Sequence, residues 1–131
     1  MSATQIAVKA LLAVTGVTAI VGQRVTAVRV PVGSALPAVV VNAISDVEVY
    51  TLGGAGGYPE ARVSIECIAE SPAGADVLGN AVVAGLKDFA TTVGGFHATF
   101  FKEGTDVFDE SPEHSTVSRI IDFAIRWRAT A

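Results

Sequence analysis

Three groupings of side chains in this sequence could do chemistry: a lone thiol, two imidazoles of which one stands beside acidic residues, and a glycine-rich turn. Cys67 stands in Val63-Ser64-Ile65-Glu66-Cys67, on the apolar side of an alternating pattern. It therefore reads as a buried structural thiol rather than a nucleophile, and a single cysteine allows no internal disulfide. His97 lies between Phe96 and Ala98, on the strand face opposite Phe100, and reads as a partly exposed strand residue. His114 follows Glu113, with Glu110 three residues earlier, but the spacing matches no ligand set that would hold a metal at fixed geometry. Asp106, Asp109, Glu110 and Glu113 lack the burial or shared site that would split two carboxylate pKa values for acid–base work, so they read as a solvated acidic segment.

The turn Gly53-Gly54-Ala55-Gly56-Gly57 invites a phosphate-binding reading. A phosphate loop needs G-x-x-x-x-G-K-[ST] between a strand and a helix. Here Gly57 runs into Tyr58-Pro59 and then an apolar alternation, with no lysine. No serine sits in a G-x-S-x-G elbow either. The expectation is a protein without catalytic residues, cofactor or metal.

The elements that must position these groups come from a chain of 131 residues, enough for a single domain spanning 1–131. Nine Lys+Arg against 13 Asp+Glu give a net charge of −4, which excludes a basic nucleic-acid footprint. Half of the residues are hydrophobic and 17% are charged, so disorder is excluded. The uncharged stretches 10–23 and 30–45 fall short of the roughly 18 apolar residues a spanning helix needs. Residues 1–5 lack the basic region of a signal peptide, so the chain is expected in the cytosol when made, with no membrane partner. The surplus of apolar surface implies burial against further copies of the chain.

Ile6, Ala10, Leu11 and Val14 fit one face of a helix over 2–14, and 17–20 reads as a further short turn ended by Gly22. Residues 31–37 are broken by Pro31, Gly33 and Pro37. The β-branched run 38–45 predicts a strand buried on both faces, and 61–69 predicts the next strand, joined to it by the glycine turn as a long-looped hairpin. Ser71-Pro72 signals a helix start, and Leu78, Val82, Leu86 and Phe89 carry one apolar face to the stop at Gly94-Gly95. Residues 96–101 predict a short aromatic strand, 102–113 a polar loop, and 117–128 the longest strand. In that last strand Ile121, Phe123, Ile125 and Trp127 face one way, with Asp122, Arg126 and Arg128 facing the other. The fold expected is α+β: a mostly antiparallel sheet of four or slightly more strands with two main helices packed on one face.

Four segments together carry a family likeness. They are Leu11-Leu12 with Val17-Thr18-Ala19-Ile20-Val21-Gly22-Gln23-Arg24-Val25; residues 31–37 with Val39-Val40-Val41; Ala61-Arg62-Val63-Ser64-Ile65-Glu66-Cys67-Ile68-Ala69 running into Ser71; and Arg119-Ile120-Ile121-Asp122-Phe123-Ala124-Ile125-Arg126-Trp127. In order and spacing the chain resembles the tail-terminator, or tail-completion, proteins of long-tailed phages and gene-transfer particles. It departs at Thr26-Ala27-Val28, where the family often has an aromatic and a proline, and at Ala38, where the family has an aromatic.

The resemblance implies a particle protein that forms a ring, usually of six copies, on the head-proximal end of the tail tube. The ring would stop tube growth and present a surface to the head connector. Its partners would be itself, the tube protein, the connector and the tape measure, with DNA only passing through the lumen. Six copies would carry −24, an acidic lining past which DNA slides.

By the same analogy, contact loops are expected at Glu48, Tyr50, Leu52 and Tyr58, and at Lys102, Glu103, Asp106, Asp109, Glu110 and Glu113. Arg119, Arg126 and Arg128 could pair across the sheet or across a subunit boundary, where Arg is favoured. Two other readings stay open on the residues alone: a connector ring of the neck, and a small oligomeric protein binding an apolar ligand.

Overall fold

A computed structural model describes residues 3–27, 36–47, 50–51, 54–55, 60–86, 90–93, 96–111 and 116–129. Helix α1 (Ala3–Leu12) buries Ile6, Ala7, Ala10 and Leu11 completely, the stripe that its spacing dictates. Helix α2 (Thr15–Val21) departs from it at 87° and buries Val17 and Val21. It ends at Gly22, whose φ of +61° falls where a side chain would be strained. No single helix among the described residues is long and apolar enough to cross a membrane.

Helix α3 (Pro72–Leu86) starts as the sequence signals: the Gly74 N–H donates to Ser71 Oγ at 3.1 Å, and Pro72 occupies the first helical position. Leu78, Val82 and Leu86 are fully buried; Phe89, the fourth residue of the expected stripe, lies outside the described residues.

Among the described residues the main sheet has six strands, β1 (Val25–Ala27), β2 (Ala38–Val47), β5 (Glu60–Ala69), β6 (Ala90–Val93), β7 (Phe96–Ser111) and β8 (Thr116–Ala129), in the order β1-β2-β5-β8-β7-β6. Two-residue strands β3 (Tyr50–Thr51) and β4 (Gly54–Ala55) pair between β2 and β5, inside the stretch expected to be a plain glycine loop. The pairings among the described residues are antiparallel except β1 with β2, which is parallel. One face of the sheet carries the core: Val39 and Val41, Val63, Ile65 and Cys67, Phe100, and Ile121, Phe123, Ile125 and Trp127 meet the three helices in a single cluster.

The architecture is thus the α+β sheet-plus-helices expected, with differences in extent. The residues 25–27 add an edge strand. Strand β2 is buried on both faces from Ala38 to Val41, but Ile44 beyond them is 49% exposed. The largest difference concerns 96–113. The short strand expected at 96–101 continues to Ser111, so 102–111 is strand rather than loop, and β7 with 16 residues is longer than β8 with 14. Cross-strand pairing to β8 holds this polar stretch extended, so burial was a poor guide to its conformation.

Candidate interaction surface

The described residues contain no group of three or more His, Cys, Asp or Glu able to hold a metal ion. What the fold builds is a surface, and its most distinctive part is the outer half of the β7–β8 hairpin. Pairing runs without a break from Phe96 opposite Ala129 to Lys102 opposite Phe123, then resumes with Asp106 opposite Ile121. Four steps on β7 match two on β8, so two extra residues bulge the strand and bend it. An even insertion keeps the alternation in phase, leaving Phe108 on the helix-bearing side with Phe100.

Beyond the bulge, one side chain ties the hairpin to α3. Arg119 Nη1 donates to Asn80 Oδ1 at 2.8 Å, to the Asp76 carbonyl at 3.3 Å and to Asp76 Oδ1 at 3.4 Å. Its guanidinium also lies 5.9 Å from the centre of the Phe108 ring, opposite it on β7. Gly79 makes this possible, since a Cβ there would fall 2.5 Å from Arg119 Cδ. Asp76 and Asn80 stand four apart on α3 with Gly79 between them; that i, i+4 polar pair beside a glycine was the sequence signal for a docking site.

On the opposite, helix-free face, Arg62 Nη2 pairs with Asp122 Oδ2 at 3.8 Å across β5 and β8. Arg126 lies over the Phe101 ring at 5.9 Å. A further arginine works at the first edge: Arg24 Nε donates to the Pro37 carbonyl at 2.9 Å and Nη2 to the Ile20 carbonyl at 3.5 Å. It joins the C-terminal end of α2 to the start of β2, where a cation also meets the negative helix end.

The expected contact residues fall into three groups. Lys102, Glu103, Asp106, Asp109 and Glu110 are brought together on β7, Asp109 exposed opposite Ser118 and Lys102 half-buried at the bulge. Tyr50 opens β3 opposite Ala55. Glu48, Leu52, Tyr58 and Glu113 lie outside the described residues. Of the arginines, Arg119 is engaged within its own chain, Arg126 is exposed, and Arg128 pairs in register with His97.

Sequence reasoning did not single out the exposed apolar residues of this strand, which lie on both of its faces. Phe101, Val107 and Phe108 are 40%, 49% and 53% exposed, three of the five large hydrophobics exposed among the described residues. A separate open groove of about 410 Å³, lined by Ile20, Pro37, Ala69, Ser71, Gly74 and Val77 among others, lies between α2 and the start of α3.

Comparison with known proteins gives two positive findings and one negative. A family model described as tail completion protein gp17 matches residues 7–128. A chain from the virion of a native gene transfer agent particle superposes with a TM-score of 0.68, covering 96% of this chain and 94% of that one at 17% identity. No curated protein sequence matches.

Proposed function

Because the chain belongs to the tail completion protein gp17 family, whose model spans nearly all of it, we propose that it is a structural protein of a phage or gene-transfer-agent tail. In this reading copies of the chain form a ring, six in number, on the head-proximal end of the tail tube. The ring ends tube growth and offers the joining surface to the head connector. The work is done by binding alone: one ring face matches the last ring of tube protein, and the other accepts no further tube subunit. The tape measure and passing DNA are met in the lumen.

The observation that carries the reading is the family match over 7–128, supported by the shared fold with a virion chain. The surface is consistent with it. Phe101 and Val107 are exposed on the helix-free face of β7 and Phe108 on the other, in a strand that also carries acidic residues, so apolar groups stand among charged ones as in many interfaces.

The test is tail length by negative-stain microscopy after deleting the gene from the strain that makes the particle. Overlong tails of scattered length, without heads, support termination. Tails of normal, uniform length overturn it, and if such tails lack heads the protein belongs to the connector side of the joint.

A further inference from the structure

Four positions in register cross the centre of the helix-free face in one row: Val40 on β2, Glu66 on β5, Ile120 on β8 and Val107 on β7. Three of them are apolar. Val40 is 2% exposed, Ile120 is half-buried and Val107 is 49% exposed, although among the described residues no helix packs on this side. A sheet face left to water normally carries polar side chains, so an apolar row reads as one made to be covered. Glu66 sits half-buried in that row, and among the described residues it has no hydrogen-bond or ion-pair partner. Asp122, diagonal to it on β8, takes the nearby cation, Arg62, at 3.8 Å. A cover made only of apolar groups would strand the Glu66 carboxylate away from water, at a large cost. The occupant must therefore bring a cation, on a stem long enough to cross apolar neighbours.

The chain itself carries such a group. Lys9 is exposed on the outer side of α1, and of the described basic side chains it is the one without a partner. Arg24 bonds two carbonyls, Arg62 and Arg119 pair with aspartates, and Lys102 and Arg126 are also engaged. Half-buried Val8 and Leu12 lie beside Lys9 on α1 and exposed Ala13 follows, so apolar surface adjoins its stem.

We propose that the helix-free sheet face of one copy packs against α1 of a second copy, the Lys9 ammonium of the second meeting the Glu66 carboxylate of the first. The proposal rests on the self-assembly in the reading above and names its contact. Covering Val40, Ile120 and Val107 supplies the attraction, and the charge pair fixes which surface meets which. Two sheet faces together would bring one Glu66 against another, and two α1 helices one lysine against another. Because the joined surfaces differ, the contact is heterologous, the kind that closes into a ring when the rotation per subunit fits.

The test treats assembled particles and concentrated purified chain with a water-soluble carbodiimide, which joins an amine to a carboxylate only where the two touch, and reads the linked peptides by mass spectrometry. Within one chain α1 packs on the other face of the sheet from Glu66, so a Lys9–Glu66 link joins different copies. The expected result is that link in either preparation. In parallel, Lys9→Glu, at an exposed position that folding tolerates, should cut the chain recovered in particles at least about tenfold, because like charges would then face each other. The link together with that loss upholds the contact. Absence of the link from both preparations overturns it, as does a link from Glu66 only to a lysine of another particle protein, or undiminished recovery of Lys9→Glu. Overlong tails on deletion would still support termination in those cases. The link and the loss alongside normal tails would uphold the contact and overturn the terminator reading.

Discussion

Arg119 should hold the outer hairpin to α3, and replacing it by Ala measures how strongly. The 2.8 Å bond to Asn80 contributes about 1 kcal/mol. The longer pair with Asp76, whose side chain is 56% exposed, adds about 0–1 kcal/mol. The guanidinium beside exposed Phe108 adds about 0.5–1 kcal/mol. Arg119→Ala should therefore cost about 1.5–3 kcal/mol, which at a slope of about 2 kcal/mol per molar lowers the urea midpoint by about 0.8–1.5 M.

Gly79→Ala sharpens the test. Alanine favours the helix by about 1 kcal/mol, but its Cβ would push Arg119 out of place, for a net loss of about 0.5–2 kcal/mol. Once Arg119 is Ala the obstruction is gone, and the same change should stabilise by about 0.5–1 kcal/mol. Urea melts of the four proteins in the cycle give the coupling directly. An equal effect of Gly79→Ala in both backgrounds, or a loss under about 0.5 kcal/mol for Arg119→Ala, would refute the tie.

Arg24→Ala removes a part-buried cation from two carbonyls and should cost about 1.5–3 kcal/mol by urea melting, with Arg24→Lys recovering only part of it. Gly16→Ala and Gly85→Ala should have opposite signs in thermal melts. A Cβ at Gly16 meets nothing within 4 Å and stabilises by about 0.5–1 kcal/mol, whereas at Gly85 it collides with Val14, a loss that Val14→Ala should relieve. Ser71→Ala deletes the α3 cap and should cost about 1 kcal/mol. Val107→Ser, at a half-exposed position, should leave the melt within about 0.5 kcal/mol of the parent while lowering the yield of joined tails in a complementation assay.

The parts of the fold legible in the sequence are those where burial writes a period. The face formed by Ile121, Phe123, Ile125 and Trp127, the buried Cys67, and the Ser71–Pro72 start of α3 could all be read because core packing or capping constrains residue type there. The outer half of β7 was not legible. Its extended shape comes from pairing with β8, which makes no demand on hydrophobicity. Strand β1 escaped for a related reason: three residues set by parallel pairing with β2 leave too short a pattern to recognise. The surface arginines could be named but not assigned. Nothing local tells Arg119, bound to α3 some forty residues earlier, from Arg126, which lies over Phe101.

The place of β8 in the sheet has a consequence for how the molecule is made. It is the last of the six strands to be synthesised, yet it lies at the centre, between β5 and β7. Until it emerges, β1-β2-β5 and β7-β6 are two half-sheets with no seam, and the apolar residues of β5 have no partner on that side. Folding should therefore complete in one late cooperative step rather than strand by strand during translation. A nascent chain interrupted before residue 116 would expose a long apolar strand edge, so truncated products should aggregate or be degraded rather than compete with full-length copies for a place in the assembly.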